Sequence, residues 1–95
     1  MKIESTDTYT AWLDDMRDLV GRARIQARVE RLAAGHPGSW RDLKGGLCEL
    51  KIDIGPGYRV YYTKRGNVII VLLCGGDKST QKRDIRAARQ FTEEL

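Results

Sequence analysis

The sequence predicts an α+β domain: an antiparallel, mixed-edge sheet of about four strands with two N-terminal helices packed on one face and a C-terminal helix, in the order β-α-α-β-β-β-α. Three observations carry this. Cys48, Leu50, Ile52 and Ile54 alternate with Glu49, Lys51 and Asp53, the period of a half-buried strand. Val68 to Cys74 is apolar at every position, so both faces of that strand require cover, which makes it central. Tyr9, Trp12, Leu13 and Met16 instead fall at i, i+3, i+4 and i+7, one stripe of an amphipathic helix.

Met1 to Ser5 reads as a short edge strand with Ile3 inward. The first helix follows, with Asp7 or Thr8 at its N-cap position. Asp18 is placed to cap a second helix from about Leu19 to Ala34, striped by Ile25, Val29, Leu32 and Ala33. Gly35 ends it and Pro37 forbids continuation. Its other face carries Arg22, Arg24, Arg28 and Arg31, read either as a solvated face or as a phosphate or rRNA contact. His36 to Asp42 reads as a loop.

Three strands come next. Gly55-Pro56-Gly57 joins the first pair with type II turn chemistry, and Lys64 to Asn67 joins the second pair. Gly75-Gly76 reads as a tight exit from the central strand that swings Lys78 over the sheet. It lacks the spacing of a phosphate-cradling loop. Ser79 or Thr80 caps a last helix striped by Ile85, Ala88, Phe91 and Leu95.

With 95 residues the chain is one domain, residues 1–95, with a single modest core. Its longest apolar run falls far short of the roughly 20 residues a membrane helix requires. MKIESTDTYT has no signal-peptide core, so a cytoplasmic protein is expected. Cys48 and Cys74 match no metal-ligand spacing and read as buried reduced thiols. No cofactor or metal is implied. The net charge of +4 is uneven: the first twenty residues set five carboxylates against Lys2 and Arg17, and the remainder is arginine-rich. That balance favours a polyanionic or acidic partner.

Strand parity sends Cys48, Leu50, Ile52, Ile54, Val60 and Tyr62 toward the helices. Glu49, Lys51, Asp53, Arg59 and Tyr61 then point to an open face, joined on its rim by Lys78 and Gln81. Guanidinium and ammonium groups hold phosphates and a tyrosine stacks bases, so this face has the chemistry of an RNA cleft. A solvated strand surface is the plain alternative.

Here the residues carry a resemblance. ELKIDIGPGYRVYY and VIIVLLCGGDKSTQKRDIRAA, with Thr6, Tyr9, Trp12 and Leu13 upstream, resemble the phage-derived addiction module killer proteins, a HigB-like branch of the RelE/ParE toxin superfamily. The resemblance covers most of the chain. Lys51 stands where that family usually has arginine, which keeps the charge but loses bidentate phosphate binding.

The resemblance implies a RelE-like fold and a type II toxin encoded beside a small helix-turn-helix antitoxin. It further implies a monomeric toxin within a toxin–antitoxin hetero-oligomer, and mRNA cleavage on the ribosome. Metal-independent RNA cleavage requires a deprotonated 2′-hydroxyl, a stabilised pentavalent phosphate and a protonated 5′-oxygen. His36 is the only histidine, so a histidine pair is impossible. The remaining candidates are Arg59 for the phosphate, Lys78 as general acid or second anchor, and Tyr61 to stack a base or donate a proton. Lys51, Gln81, Lys82 and Arg83, with Arg28 and Arg31, are the RNA-binding candidates. The alternatives are a ParE-type inhibitor of DNA gyrase and an inactive antitoxin-binding homologue.

Overall fold

The computed structural model describes residues 1–95, the whole chain. Its elements are β1 (Lys2–Ser5), α1 (Asp7–Asp14), α2 (Leu19–Ala33), β2 (Trp40–Asp42), β3 (Cys48–Ile52), β4 (Tyr58–Arg65), β5 (Ile69–Asp77), a 3-10 turn (Lys78–Thr80) and α3 (Gln81–Glu94). The α+β class holds, and the sheet has five strands rather than about four, in the order β1-β5-β4-β3-β2. β1 runs parallel to β5, and every other pair is antiparallel. The extra strand, β2, lies in the segment expected to be a loop. All three of its residues are exposed, so no alternation marks it. It forms because Arg28 ties the preceding segment to β3: the guanidinium donates to the carbonyls of Pro37 and Ser39 at 2.8 and 2.9 Å and of Lys51 at 2.7 Å.

Local signals set the helices. Thr6, one residue before the expected cap, accepts from the Tyr9 amide at 3.0 Å and donates to the Leu73 carbonyl at 2.6 Å, which fixes α1 on β5. Asp18 caps α2 through the Gly21 amide at 2.9 Å. Gly35, at φ 90°, ends that helix while the amides of Gly35 and His36 reach back to Leu32 and Arg31.

Helices do not cover one face alone. α1 and α2 pack Tyr9, Leu13, Ile25 and Leu32 on Leu50, Ile52, Val60, Tyr62, Ile70 and Leu72. α3 packs on the opposite face, its Ala88 buried among Leu47, Tyr61, Val71 and Leu73. The face expected to be open is therefore half roofed, because the all-apolar β5 needs cover on both sides.

Gly75 and Gly76 do not leave the strand. β5 runs through both of them, opposite Val60 and Arg59. A side chain on Gly75 would strike the Trp12 ring and one on Gly76 would strike the Asp84 carboxylate, so each glycine admits a neighbour from one face. A bulge sets this phase. Tyr61 pairs with Cys74 and Tyr62 with Leu72, which leaves Leu73 as an extra residue. Leu73 and Cys74 consequently both face α3.

Candidate nucleic-acid interface

Parity places Glu49, Lys51, Arg59 and Tyr61 on the α3 side of the sheet, and the register makes them neighbours: Glu49 opposite Tyr61 and Lys51 opposite Arg59. α3 then divides them. Tyr61 lies under the helix with no exposed surface, and its hydroxyl makes no hydrogen bond. Burial, and after it the nearby Glu49 carboxylate, pushes its phenol far above the ordinary value. A side chain so covered stacks no base, which corrects the expectation that Tyr61 stands on an open face.

Glu49 is also fully buried, ion-paired to Arg41 at 3.3 Å and accepting from Gln81 Nε2 at 2.8 Å. Gln81 thus anchors the first turn of α3 to the sheet. Another carboxylate shapes that end: Asp77 accepts from the amide of Ser79 at 2.8 Å, and Thr80 Oγ1 closes a capping box. The Ser79 hydroxyl, and after it the Ser79 and Thr80 amides, hold the Asp77 carboxyl below its usual range against the opposing effect of burial. Thr80 stands at the N-cap position of α3, but its hydroxyl bonds Asp84 rather than the helix backbone.

Past the first turn of α3, Arg59 Nη1 and the stem of Lys78 both lie against Gly57, and Arg59 too is buried rather than on the open face that strand parity assigned it. Arg59 is 3% exposed; Nη1 donates to the Tyr58 carbonyl at 3.1 Å and lies 3.5 Å from Asp53 Oδ1. Nε is buried without a partner, and Nη2 bonds no protein acceptor. Gly57 brings the two cations together. A β-carbon built on it would lie 3.5 Å from both Arg59 Nη1 and Lys78 Cβ, and its φ of 79° also demands glycine. The hydrogen bond of that turn runs from the Gly57 amide to the Ile54 carbonyl at 2.9 Å, with Gly55 at φ 52°.

From Lys78 a shallow groove of about 450 Å³ runs along the start of α3, lined by Lys78, Ser79, Thr80, Gln81, Lys82, Arg83 and Arg86. It holds four cations and no carboxylate. A second hollow of about 290 Å³ lies on the other side of Lys78, bounded by Asp53, Gly55, Pro56 and Gly57. Exposed cations beside the positive end of a helix suit a polyanion.

The structure thus gathers Lys51, Arg59, Lys78, Gln81, Lys82 and Arg83 around one end of α3. Arg28 and Arg31 lie apart on α2, lining a third hollow with Arg24 and Asp53. Arg28 Nη1 and Nη2 donate to three backbone carbonyls while Nε is buried without a partner, so its role is to hold β2 and β3 together. Burial, then the charge of Arg31, lowers the Arg28 guanidinium, while Asp53 opposes the shift. His36 is exposed in the loop after α2. His, Cys, Asp and Glu side chains nowhere gather in a group of three suited to a metal ion, and no helix is long and apolar enough to cross a membrane. Sequence reasoning left Asp53 and Gly57 out of the site, although strand parity had already set Asp53 on the face of Arg59.

Comparison with known proteins gives this geometry a context. The family described as "Phage derived protein Gp49-like" matches residues 11–93. An "Uncharacterized protein" of Haemophilus influenzae strain Rd is 43% identical over 95 residues, spanning 100% of this chain and 96% of that protein. On a match of that extent, the chain belongs to the phage-derived Gp49-like family, a RelE-like family of toxin–antitoxin toxins.

Proposed function

We propose that this protein is a HigB-like toxin acting as a ribosome-dependent mRNA endoribonuclease, restrained by a helix-turn-helix antitoxin and working in the cytoplasm. The observation that carries the reading is the convergence of Arg59 and Lys78 around Gly57, at the foot of the cationic groove. A buried guanidinium with unpaired donors is costly to a folded protein unless a ligand completes it. A phosphodiester is the ligand whose charge and acceptors fit it.

In this reading Arg59 stabilises the charge that builds on phosphorus, in a site half shielded from water where such an interaction is strengthened. Lys78 protonates the departing 5′-oxygen. Lys51, Lys82 and Arg83 hold the strand, with Gln81 fixed at the head of the groove. A folded ribosome supplies the orientation that a small open site lacks, and orientation is itself a large part of the barrier.

An in-vitro translation reaction tests this. Adding the protein stops synthesis with the message cut, and the exposed Lys78→Ala variant leaves most of it whole. Intact message together with blocked DNA supercoiling would instead make the protein a gyrase inhibitor.

A further inference from the structure

The cleft beside Gly57 contains a group that the cationic site does not use. Asp53 and Lys78 are the two charged side chains lining the hollow of about 290 Å³, and the rest of its wall is Gly55, Pro56 and Gly57. Arg59 Nη1 lies 3.5 Å from Asp53 Oδ1, behind the Gly57 wall. The Asp53 side chain is 70% exposed, and Oδ2 accepts no hydrogen bond from the protein. A carboxylate and a lysine therefore line one glycine-walled hollow, and the carboxylate lies within 3.5 Å of a buried guanidinium.

We propose that Asp53 is the general base of the cleavage reaction, an assignment that rests on the endoribonuclease reading above. Neither an ammonium nor a guanidinium takes up a proton readily near neutrality, whereas a positioned carboxylate is a competent base. The Asp53 carboxylate removes the proton of the ribose 2′-hydroxyl as the 2′-oxygen bonds to phosphorus. The bond from phosphorus to the 5′-oxygen breaks, and Lys78 gives that oxygen its proton. The products are a 2′,3′-cyclic phosphate and a 5′-hydroxyl, and both side chains return to their starting states by exchange with water. Arg59, paired with Asp53, stabilises the five-coordinate phosphate. Gly57, held at φ 79°, adds no side chain to this wall.

The rival account makes Asp53 a counter-ion for Arg59. The two differ in what amide replacement does. Asp53→Asn keeps size and hydrogen bonding but cannot accept the proton. As a base, its loss lowers the single-turnover rate on ribosome-bound mRNA by about 10²–10⁴-fold with binding retained, and the acidic limb of the rate–pH profile disappears. Asp53→Glu recovers part of the rate together with the limb. The charged groups facing Asp53 are Arg59 from β4, Lys78 from the 3-10 turn, and Arg24, Arg28 and Arg31 from α2.

If Asp53→Asn cleaves as fast as the parent, or slows while the acidic limb stays in place, Asp53 is not the base. If the parent itself yields no cyclic-phosphate ends on ribosome-bound mRNA, the endoribonuclease reading fails and the base with it.

Discussion

Arg59 concentrates the tension between stability and function in one side chain. Its guanidinium is buried with one carbonyl, one carboxylate at the outer limit of contact, and a partnerless Nε. Replacing a poorly compensated buried charge with an apolar group of similar length is often neutral or stabilising. Arg59→Met should therefore melt at the same temperature as the parent or above it. A loss like that of a truncated core residue would show that the charge is structurally satisfied.

The tyrosines make a second residue-scale prediction. Burial pushes Tyr9 up to about 12, and the hydrogen bond to Asp18, aided by burial, pushes Tyr58 up to about 12. Tyr61 and Tyr62 are raised further, mainly by burial. The folded state thus prefers the neutral phenol. That preference contributes fully below the ordinary 10.0 and is lost as pH rises through about 12. Phenolate absorbance should stay low past pH 10 and then rise together with the loss of helical circular dichroism. An ordinary titration of all four phenols with the helices intact would contradict the burial. Asp18 acts at the other extreme: the Gly21 amide, then the Tyr58 hydroxyl, lowers its carboxyl below 3.8, so its contribution is present above that pH and is lost on further acidification.

At the scale of elements, β5 organises the molecule because it receives a helix on each face. Gly75→Ala drives a methyl into Trp12 of α1, and overpacking of that kind costs about 1–3 kcal/mol, readable as a lower denaturation midpoint. Thr6→Ala removes the cap of α1 and its tie to Leu73, for about 1 kcal/mol from the cap. Much of this layer was legible in the sequence. Alternation in β3 and β4 sorted the two faces correctly, because one hydrophobic surface fixes the phase of a strand. Continuous apolarity made β5 central. The rest depends on partners distant in sequence. β2 has no alternating pattern and exists through the reach of Arg28 from α2. The bulge at Leu73 turns Cys74 toward α3, which period-2 counting cannot supply. The covering of Tyr61 depends on where α3 lands, and the amphipathic stripe of α3 says only that it must land on something apolar.

For the whole molecule, the fold leaves one end of α3 as an exposed patch of positive charge while Arg28 and Arg89 are spent on backbone carbonyls. Charge on that patch should behave as phosphate-contacting charge. Lys82→Ala or Arg83→Ala should weaken RNA binding alike across sequences, and each should flatten the slope of log affinity against log salt by about 0.7 for a single strand. An unchanged slope would remove that side chain from the interface. The placement was partly legible: Lys78 and the basic start of α3 share one exposed end, while Arg59, Tyr61 and Arg28 are drawn into the structure. The most direct test of the central claim is single-turnover cleavage of ribosome-bound mRNA by the parent and by Arg59→Met, at protein concentrations that saturate binding. The account predicts cut message from the parent and intact message from a variant that is folded and bound. Equal cleavage by both would contradict it.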